Sequence, residues 1–92
     1  MELAPKLLEA NKISNTKVEL RYESGEKGVI DLALYFNDVD LTDLQLNSEF
    51  NIIEYSDTEI DSNILYSILT MKPITHKDKV VFDPSLGHKA WS

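Results

Sequence analysis

The stretch that most constrains the fold runs from residue 17 to residue 32 and reads KVELRYESGEKGVIDL. Its first half alternates polar and apolar side chains, which is the period-two pattern of a β-strand with one buried face. Gly25 can adopt the positive φ of a tight turn, and Gly28 permits a bulge or a close backbone approach as the second strand begins. An isolated hairpin is only marginally stable in water, so we expect the flanking segments to cover its apolar face.

The length and composition predict one small globular domain spanning residues 1–92. The chain has 92 residues, which leaves no room for a second domain, and its 42% hydrophobic and 27% charged residues are typical of a folded protein. It contains no cysteine, which excludes disulfides, thiolate zinc sites and cysteine nucleophiles. No stretch approaches the roughly 18 apolar residues of a membrane span, and the first ten residues do not resemble a signal peptide. We therefore expect a cytoplasmic protein without membrane contact.

The charge of −7 is distributed unevenly along the chain. Residues 1–27 are neutral and residues 72–92 are weakly basic, whereas residues 28–71 contain no Lys or Arg. A field of this sign repels phosphate backbones and favours basic partners, so direct binding to nucleic acid is not expected. The simpler alternative is a solvated acidic surface that aids solubility. The nine acidic residues of this middle block are Asp31, Asp38, Asp40, Asp43, Glu49, Glu54, Asp57, Glu59 and Asp61.

The segments around the first hairpin complete an antiparallel meander, which we predict over residues 6–13, 17–23 and 28–32. Residues 5–13 would also suit a short helix, but a turn at residues 14–16 favours a strand that pairs with its neighbour. A second hairpin is predicted over 41–46 and 50–55, with a single helical turn near 37–40.

A helix is predicted from about residue 62 to residue 71. Asp61 is a good N-cap, Ile60 can pack onto Leu65, and apolar side chains recur at helical spacing until Pro73 stops the helix. The tail offers an edge strand at 79–83, and Trp91 either docks on the domain or is presented to a partner. The predicted fold is thus α+β: a mainly antiparallel twisted sheet, one packed helix and an extended C-terminal tail.

The order of these features resembles a known family. The strand V-E-L-R-Y, the turn S-G-E, the run G-V-I-D-L at 28–32 and the segment I-E-Y-S-D-T-E-I-D-S-N-I-L-Y at 53–66 are similar to domain-of-unknown-function family 2442. The resemblance covers roughly residues 5–70 and leaves 71–92 as an extension. It implies a small bacterial α+β domain, and its members often lie beside partner proteins in arrangements that look like toxin–antitoxin pairs. An interaction role is what the resemblance implies.

Neither a metal site nor an active site is predicted from the motifs. The spacing Asp38-x-Asp40-x-Thr42 with Glu49 copies part of a calcium-binding EF-hand loop, but Asp43 stands where that loop needs Gly. The two histidines, His76 and His88, lack further good zinc ligands. The chain has no phosphate-binding glycine loop and no nucleophile motif, so we expect neither a cofactor nor enzymatic activity.

Three functions follow from the sequence. The first is a protein-interaction module, in an antitoxin- or immunity-like form, that binds a partner with a basic surface. The second is a phage-type inhibitor whose acidic surface mimics DNA. The third is a structural subunit that self-associates, for example as a homodimer through the strand at 79–83. The residues assigned to partner binding are Asp38, Asp40, Asp43, Glu49, Glu54, Asp57, Glu59 and Trp91.

Overall fold

The computed structural model describes residues 5–76 and 79–89 and shows a small α+β domain. In this part of the chain, two three-stranded antiparallel sheets, a two-stranded sheet and one α-helix share a common core. The predicted fold class is confirmed. No helix among these residues has the length and apolar character needed to cross a bilayer.

The first sheet is the predicted meander. Its strands are Leu7–Lys12 (β1), Lys17–Tyr22 (β2) and Lys27–Asp31 (β3), in the order β1-β2-β3. The alternation of polar and apolar side chains along β2 determines which face of the strand points to the core, because its apolar side chains are buried and its charged ones are not. Gly25 has φ +102°, as the turn between β2 and β3 requires.

The second sheet contains one more strand than the predicted hairpin. Gln45–Asn47 (β4), Ile52–Tyr55 (β5) and Thr58–Asp61 (β6) pair in sequence order. No strand was predicted between residue 55 and the helix, because residues 56–59 suggest a turn. Instead, Ser56 and Asp57 alone reverse the chain, with φ 44° and 62°. Two consecutive residues with positive φ are the geometry of a type I′ hairpin turn, which leaves Thr58 free to begin β6.

The helix α1 spans Ser62–Thr70, within a residue of its predicted bounds. Asp61 is its N-cap, as expected, and its carboxylate accepts a hydrogen bond from the Asn63 N–H at 2.7 Å. The helix ends where Met71 adopts the left-handed conformation, two residues before Pro73.

The tail carries more structure than an extended segment. Ile74–His76 (β7) pairs with Lys79–Phe82 (β8), so the edge strand predicted at 79–83 forms a small hairpin, and 3₁₀ turns follow over Pro84–Lys89. Phe82 is fully buried and its ring lies 6.3 Å from that of Tyr35. The single helical turn expected near 37–40 instead forms at Leu32–Leu34, where the Asp31 carboxylate caps it.

The core lies between the two three-stranded sheets and α1. Each element contributes fully buried side chains, such as Leu20 from β2, Ile53 from β5 and Leu65 from α1. Tyr22 links the sheet to the helix, since its buried hydroxyl donates to the Ser62 carbonyl at 3.0 Å. This burial raises the pKa of the Tyr22 phenol, because the phenolate would be poorly solvated there.

Three further contacts fix the second sheet and the helix onto the first sheet. The Asn51 side-chain oxygen accepts from the Leu7 N–H at 2.8 Å. A Cβ on Gly28 would lie 2.7 Å from Leu69 Cδ1, which shows why the predicted close approach at this glycine is needed for helix packing. The Tyr66 hydroxyl donates to the Glu26 carboxylate at 2.7 Å. Together these contacts hold the second sheet and the helix against the first sheet.

Candidate functional site: an acidic groove on the second sheet

The outer face of the second sheet carries a row of three polar side chains, one from each strand. Gln45 on β4 lies directly opposite Glu54 on β5, and Glu54 lies directly opposite Glu59 on β6. Residues paired in this way project from the same face of a sheet. The row faces away from the core, because the neighbouring residues Ile53 on β5 and Ile60 on β6 are buried and successive side chains of a strand point to opposite faces.

Two of the three side chains in this row are carboxylates on adjacent strands. Directly opposite residues of an antiparallel pair have Cβ atoms roughly 4.5–5.5 Å apart, and like charges at that separation destabilise the sheet. The Asn47 side-chain amide contacts Glu54 at 3.5 Å but supplies no positive charge. The second sheet thus places two like charges opposite each other, beside the β5–β6 turn.

A groove of about 570 Å³ follows this acidic row toward the β5–β6 turn. We call it the acidic groove. Four of its eight lining residues carry carboxylates, none is basic, and Tyr55 is the one aromatic residue among them. A concave, negatively charged surface of this kind suits a cationic group better than an anionic one. Its lining residues are Asp43, Gln45, Glu54, Tyr55, Ser56, Asp57, Thr58 and Glu59.

The structure brings together half of the residues that the sequence assigned to partner binding. Asp43, Glu54, Asp57 and Glu59 line the acidic groove. They come from two stretches of the chain, the segment just before β4 and the β5–β6 hairpin, and the pairing of β4 with β5 brings these together. Trp91 lies outside the described residues.

The other three carboxylates that the sequence assigned to partner binding lie in turns or loops. Asp40 accepts from the Thr42 hydroxyl at 2.6 Å and from the Thr42 N–H at 3.0 Å. The hydroxyl bond is the main reason that the pKa of Asp40 lies below its ordinary value, and the N–H bond adds to it. Asp38 occupies an exposed position with φ 55°, and Glu49 lies in the exposed loop before β5. These three residues do not line the groove.

Two more acidic residues of the middle block act as caps. Asp31 closes the 3₁₀ turn through the Ala33 N–H, and Asp61 caps α1. Because these carboxylates satisfy backbone donors, their presence is explained by folding alone. The acidic block therefore separates into structural residues and groove residues.

Sequence analysis missed three polar members of the groove, Gln45, Ser56 and Thr58. A signal for β6 was present, since Ile53 and Tyr55 before the turn and Thr58 and Ile60 after it repeat with a period of two. The dipeptide Ser-Asp masked that signal because it is a weaker type I′ turn sequence than Asn-Gly or Asp-Gly.

Within residues 5–76 and 79–89, no group of three or more His, Asp or Glu side chains is placed to hold a metal ion. The groove chemistry that the described residues support is hydrogen bonding and ion pairing with a cationic group, through carboxylates, an amide and hydroxyls. A scan of protein-family models and searches of curated proteins and of solved structures found no match to this chain. Membership of family 2442 stays a prediction.

Proposed function

We propose that this protein is a non-enzymatic interaction module that binds a basic segment of a partner protein in the acidic groove. The observation that carries the proposal is the directly opposed pair Glu54 and Glu59. The groove lining supplies no Lys or Arg to balance it. A partner cation would supply that missing charge.

The recognition chemistry follows from the lining. An Arg guanidinium presents a planar set of donors that a carboxylate can accept in pairs, and it stacks on aromatic rings. Tyr55 also borders the groove, but its side chain is only 4% exposed and packs in the core, so recognition depends on ion pairs and hydrogen bonds to the carboxylates. Because the groove is open to solvent, we expect complementary charge to act mainly on the association rate and on specificity.

The most concrete form of this proposal is an antitoxin- or immunity-like protein that neutralises a basic partner. Such a complex should weaken as salt rises, since ionic strength screens interactions between exposed charges. The test begins with the tagged full chain, used to capture partners from the source cell at low and at moderate salt. A basic protein recovered at low salt is then purified and titrated with the wild-type chain and its variants.

A matched pair of double variants separates the groove from the overall charge. Glu54→Gln with Glu59→Gln removes two negative charges from the groove, and Glu19→Gln with Glu23→Gln removes two from the first hairpin. We expect the first pair to weaken binding about tenfold or more and the second to leave it nearly unchanged. Equal losses of affinity in the two double variants would show that net charge alone governs binding. No loss of affinity in either variant would exclude the groove as the binding site.

Competition with DNA tests the alternative of a DNA-mimicking inhibitor on the same complex. A mimic occupies the nucleic-acid channel of its target, so duplex DNA should displace it. If the recovered partner is a nucleic-acid enzyme and DNA competes, the acidic groove acts as a mimic. If DNA does not compete, the partner is bound as a protein ligand.

A further inference from the structure

The edge strand β3 carries a second surface suited to association, independent of the acidic groove. It is the last strand of the first sheet, and no strand of the described residues pairs with its outer edge. Val29 at its centre is 51% exposed. The helix contacts β3 from the inner face, at Gly28, and leaves the Val29 side uncovered.

The hydrogen bonds of the first sheet decide which backbone groups of β3 point outward. The Tyr22 N–H donates to the Glu26 carbonyl at 2.9 Å, and the Leu32 N–H donates to the Thr16 carbonyl at 2.8 Å. Hydrogen-bonded pairs in an antiparallel ladder recur at every second residue, so the even-numbered residues of β3 bond to β2. The residues whose N–H and C=O groups point to the open edge are therefore Lys27, Val29 and Asp31.

The other edge of this sheet is protected. The Leu7 N–H at the start of β1 is already bonded to the Asn51 side chain, and β1 lies against β4. Natural sheets commonly block an edge in this way to prevent pairing with another chain. β3 contains no proline, and among the described residues no strand pairs with its outer edge, which carries the charged side chains Lys27 and Asp31 at its two ends.

The open edge is complementary to itself. If two copies of β3 pair antiparallel about a two-fold axis at Val29, Val29 faces its own copy, and Lys27 of each chain faces Asp31 of the other. In the monomer Lys27 lies opposite Arg21, which has the same charge, so the pairing gives Lys27 an acidic neighbour that its own sheet does not place opposite it. A shift of the pairing by two residues would set Val29 against a charged side chain and lose this match.

We propose that a second copy of this chain pairs with β3, giving a two-fold dimer with a continuous six-stranded sheet. The occupant is identified by the match of charge and of apolar side chains at one register. The interface is isologous, as expected for a two-fold homodimer. It leaves the acidic groove of each copy free, because that groove lies on the other three-stranded sheet.

Sedimentation of the full chain at about 0.15 M salt, where repulsion between the two acidic copies is screened, measures the association directly. The wild type should sediment as a dimer at high concentration. Val29→Pro removes the central outward N–H without removing a bond to β2, so it should leave the circular dichroism spectrum unchanged and abolish the dimer. Val29→Thr, which keeps the N–H and the β-branched shape, is the matched control and should still dimerise.

Lys27→Glu tests the register. It replaces the repulsive contact with Arg21 by an attractive one inside the monomer, so the monomer should be no less stable. In the dimer it places one new carboxylate against Asp31 of the partner copy at each of the two symmetry-related contacts, and the dissociation constant should rise at least about fivefold. A loss of dimer without a loss of stability is an outcome that a purely structural role for Lys27 does not produce.

Cysteine crosslinking locates the two-fold axis, since the natural chain has no cysteine. Paired residues at a hydrogen-bonded position have Cα atoms about 5.5 Å apart, which a disulfide can span. Val29→Cys should form a covalent dimer under mild oxidation, whereas Ile13→Cys, at a 56% exposed position just after β1, should not. A wild type that stays monomeric at about 200 μM, or a dimer that Val29→Pro leaves intact, overturns the proposal.

Discussion

The two three-stranded sheets have the same connectivity but differ in how the charges on their outer faces are balanced. On the first sheet, Glu9 lies opposite Arg21 and forms an ion pair with it at 3.0 Å. This bond, followed by the charge of Arg21, lowers the pKa of Glu9 below its ordinary value. Arg21 also faces Lys27 on β3, so this like-charged pair has Glu9 as a counter-charge. On the second sheet the corresponding like-charged pair is Glu54 and Glu59, and only the neutral Gln45 lies opposite Glu54 on β4.

The difference shows that the outer faces were shaped by different requirements. Opposite charges across strands support a sheet, and like charges oppose it. Both sheets bury apolar side chains in one common core, so folding alone does not require the acidic row. A like-charged pair that has an opposite charge beside it on one sheet and none in its row on the other is the pattern expected at a binding site.

The largest expected effect tests whether the inner faces are equivalent. Leu20→Ala and Ile53→Ala each remove a fully buried side chain, one from each sheet, and each should lower the free energy of unfolding by about 2–5 kcal/mol. Urea denaturation measures both. Ile13→Ala, at an exposed position outside the core, is the control and should lower the free energy of unfolding far less. If Ile53→Ala cost under about 1 kcal/mol, the second sheet would not share the common core.

The junction between the sheets should show the next largest effect. Asn51 adopts φ 57°, and its side chain bonds the Leu7 N–H of the first sheet and the Ser62 hydroxyl at the start of α1. Asn51→Ala loses these bonds and places alanine in the left-handed region, so we expect a loss of about 2 kcal/mol. Asn51→Asp keeps the acceptor for Leu7 and should retain more of the stability. Equal losses in both variants would contradict the role of that acceptor.

Charge reversal on the outer faces tests the comparison itself. Glu54→Lys replaces the like-charged pair with Glu59 by an opposite pair and should stabilise the fold by about 0.5 kcal/mol. Arg21→Glu does the reverse on the first sheet and should lower the urea midpoint. Both shifts should shrink in high salt because the charges are near solvent. A destabilising Glu54→Lys would show that the acidic pair supports the fold.

The smallest effect concerns pH. The Ser24 hydroxyl, and after it the Tyr66 hydroxyl, lower the pKa of Glu26 below its ordinary value of 4.5. A carboxyl with a lowered folded pKa contributes stability that is complete above its unfolded pKa and is lost as pH falls through the folded one. Stability should therefore decline below about pH 4.5, and less steeply in Ser24→Ala and Tyr66→Phe. Urea midpoints across this pH range measure the slope, and identical slopes in all three proteins would contradict the assignment.

Local signals predicted most of the fold. The alternation of β2, the turn at Gly25 and the cap at Asp61 act over a few residues, so they can be read directly from the chain. The strand β6 was missed because its turn, Ser56-Asp57, lacks a strong turn sequence and reads as loop. Its pairing with β5 is favoured by buried Ile60, which a local pattern alone does not reveal.

The candidate site was only half visible in the sequence. The acidic block was evident from composition. However, composition does not show which of its nine carboxylates, spread over forty-four residues, share a surface. Register decides that, since a shift of one residue in β5 or β6 would send Glu54 or Glu59 toward the core. Tertiary packing holds the register by burying Ile53 and Ile60.

By itself, then, the sequence determined the strands of the first sheet, the helix with its cap, and the sign of the charge. These depend on side-chain periodicity, on turn residues and on composition, which are properties of short segments. Only the tertiary structure decided that Glu54 faces Glu59, that Asp31 and Asp61 are caps outside the acidic groove, and that no strand of the described residues pairs with the outer edge of β3. Those outcomes depend on which segments pair and what covers them, and the shared core sets both.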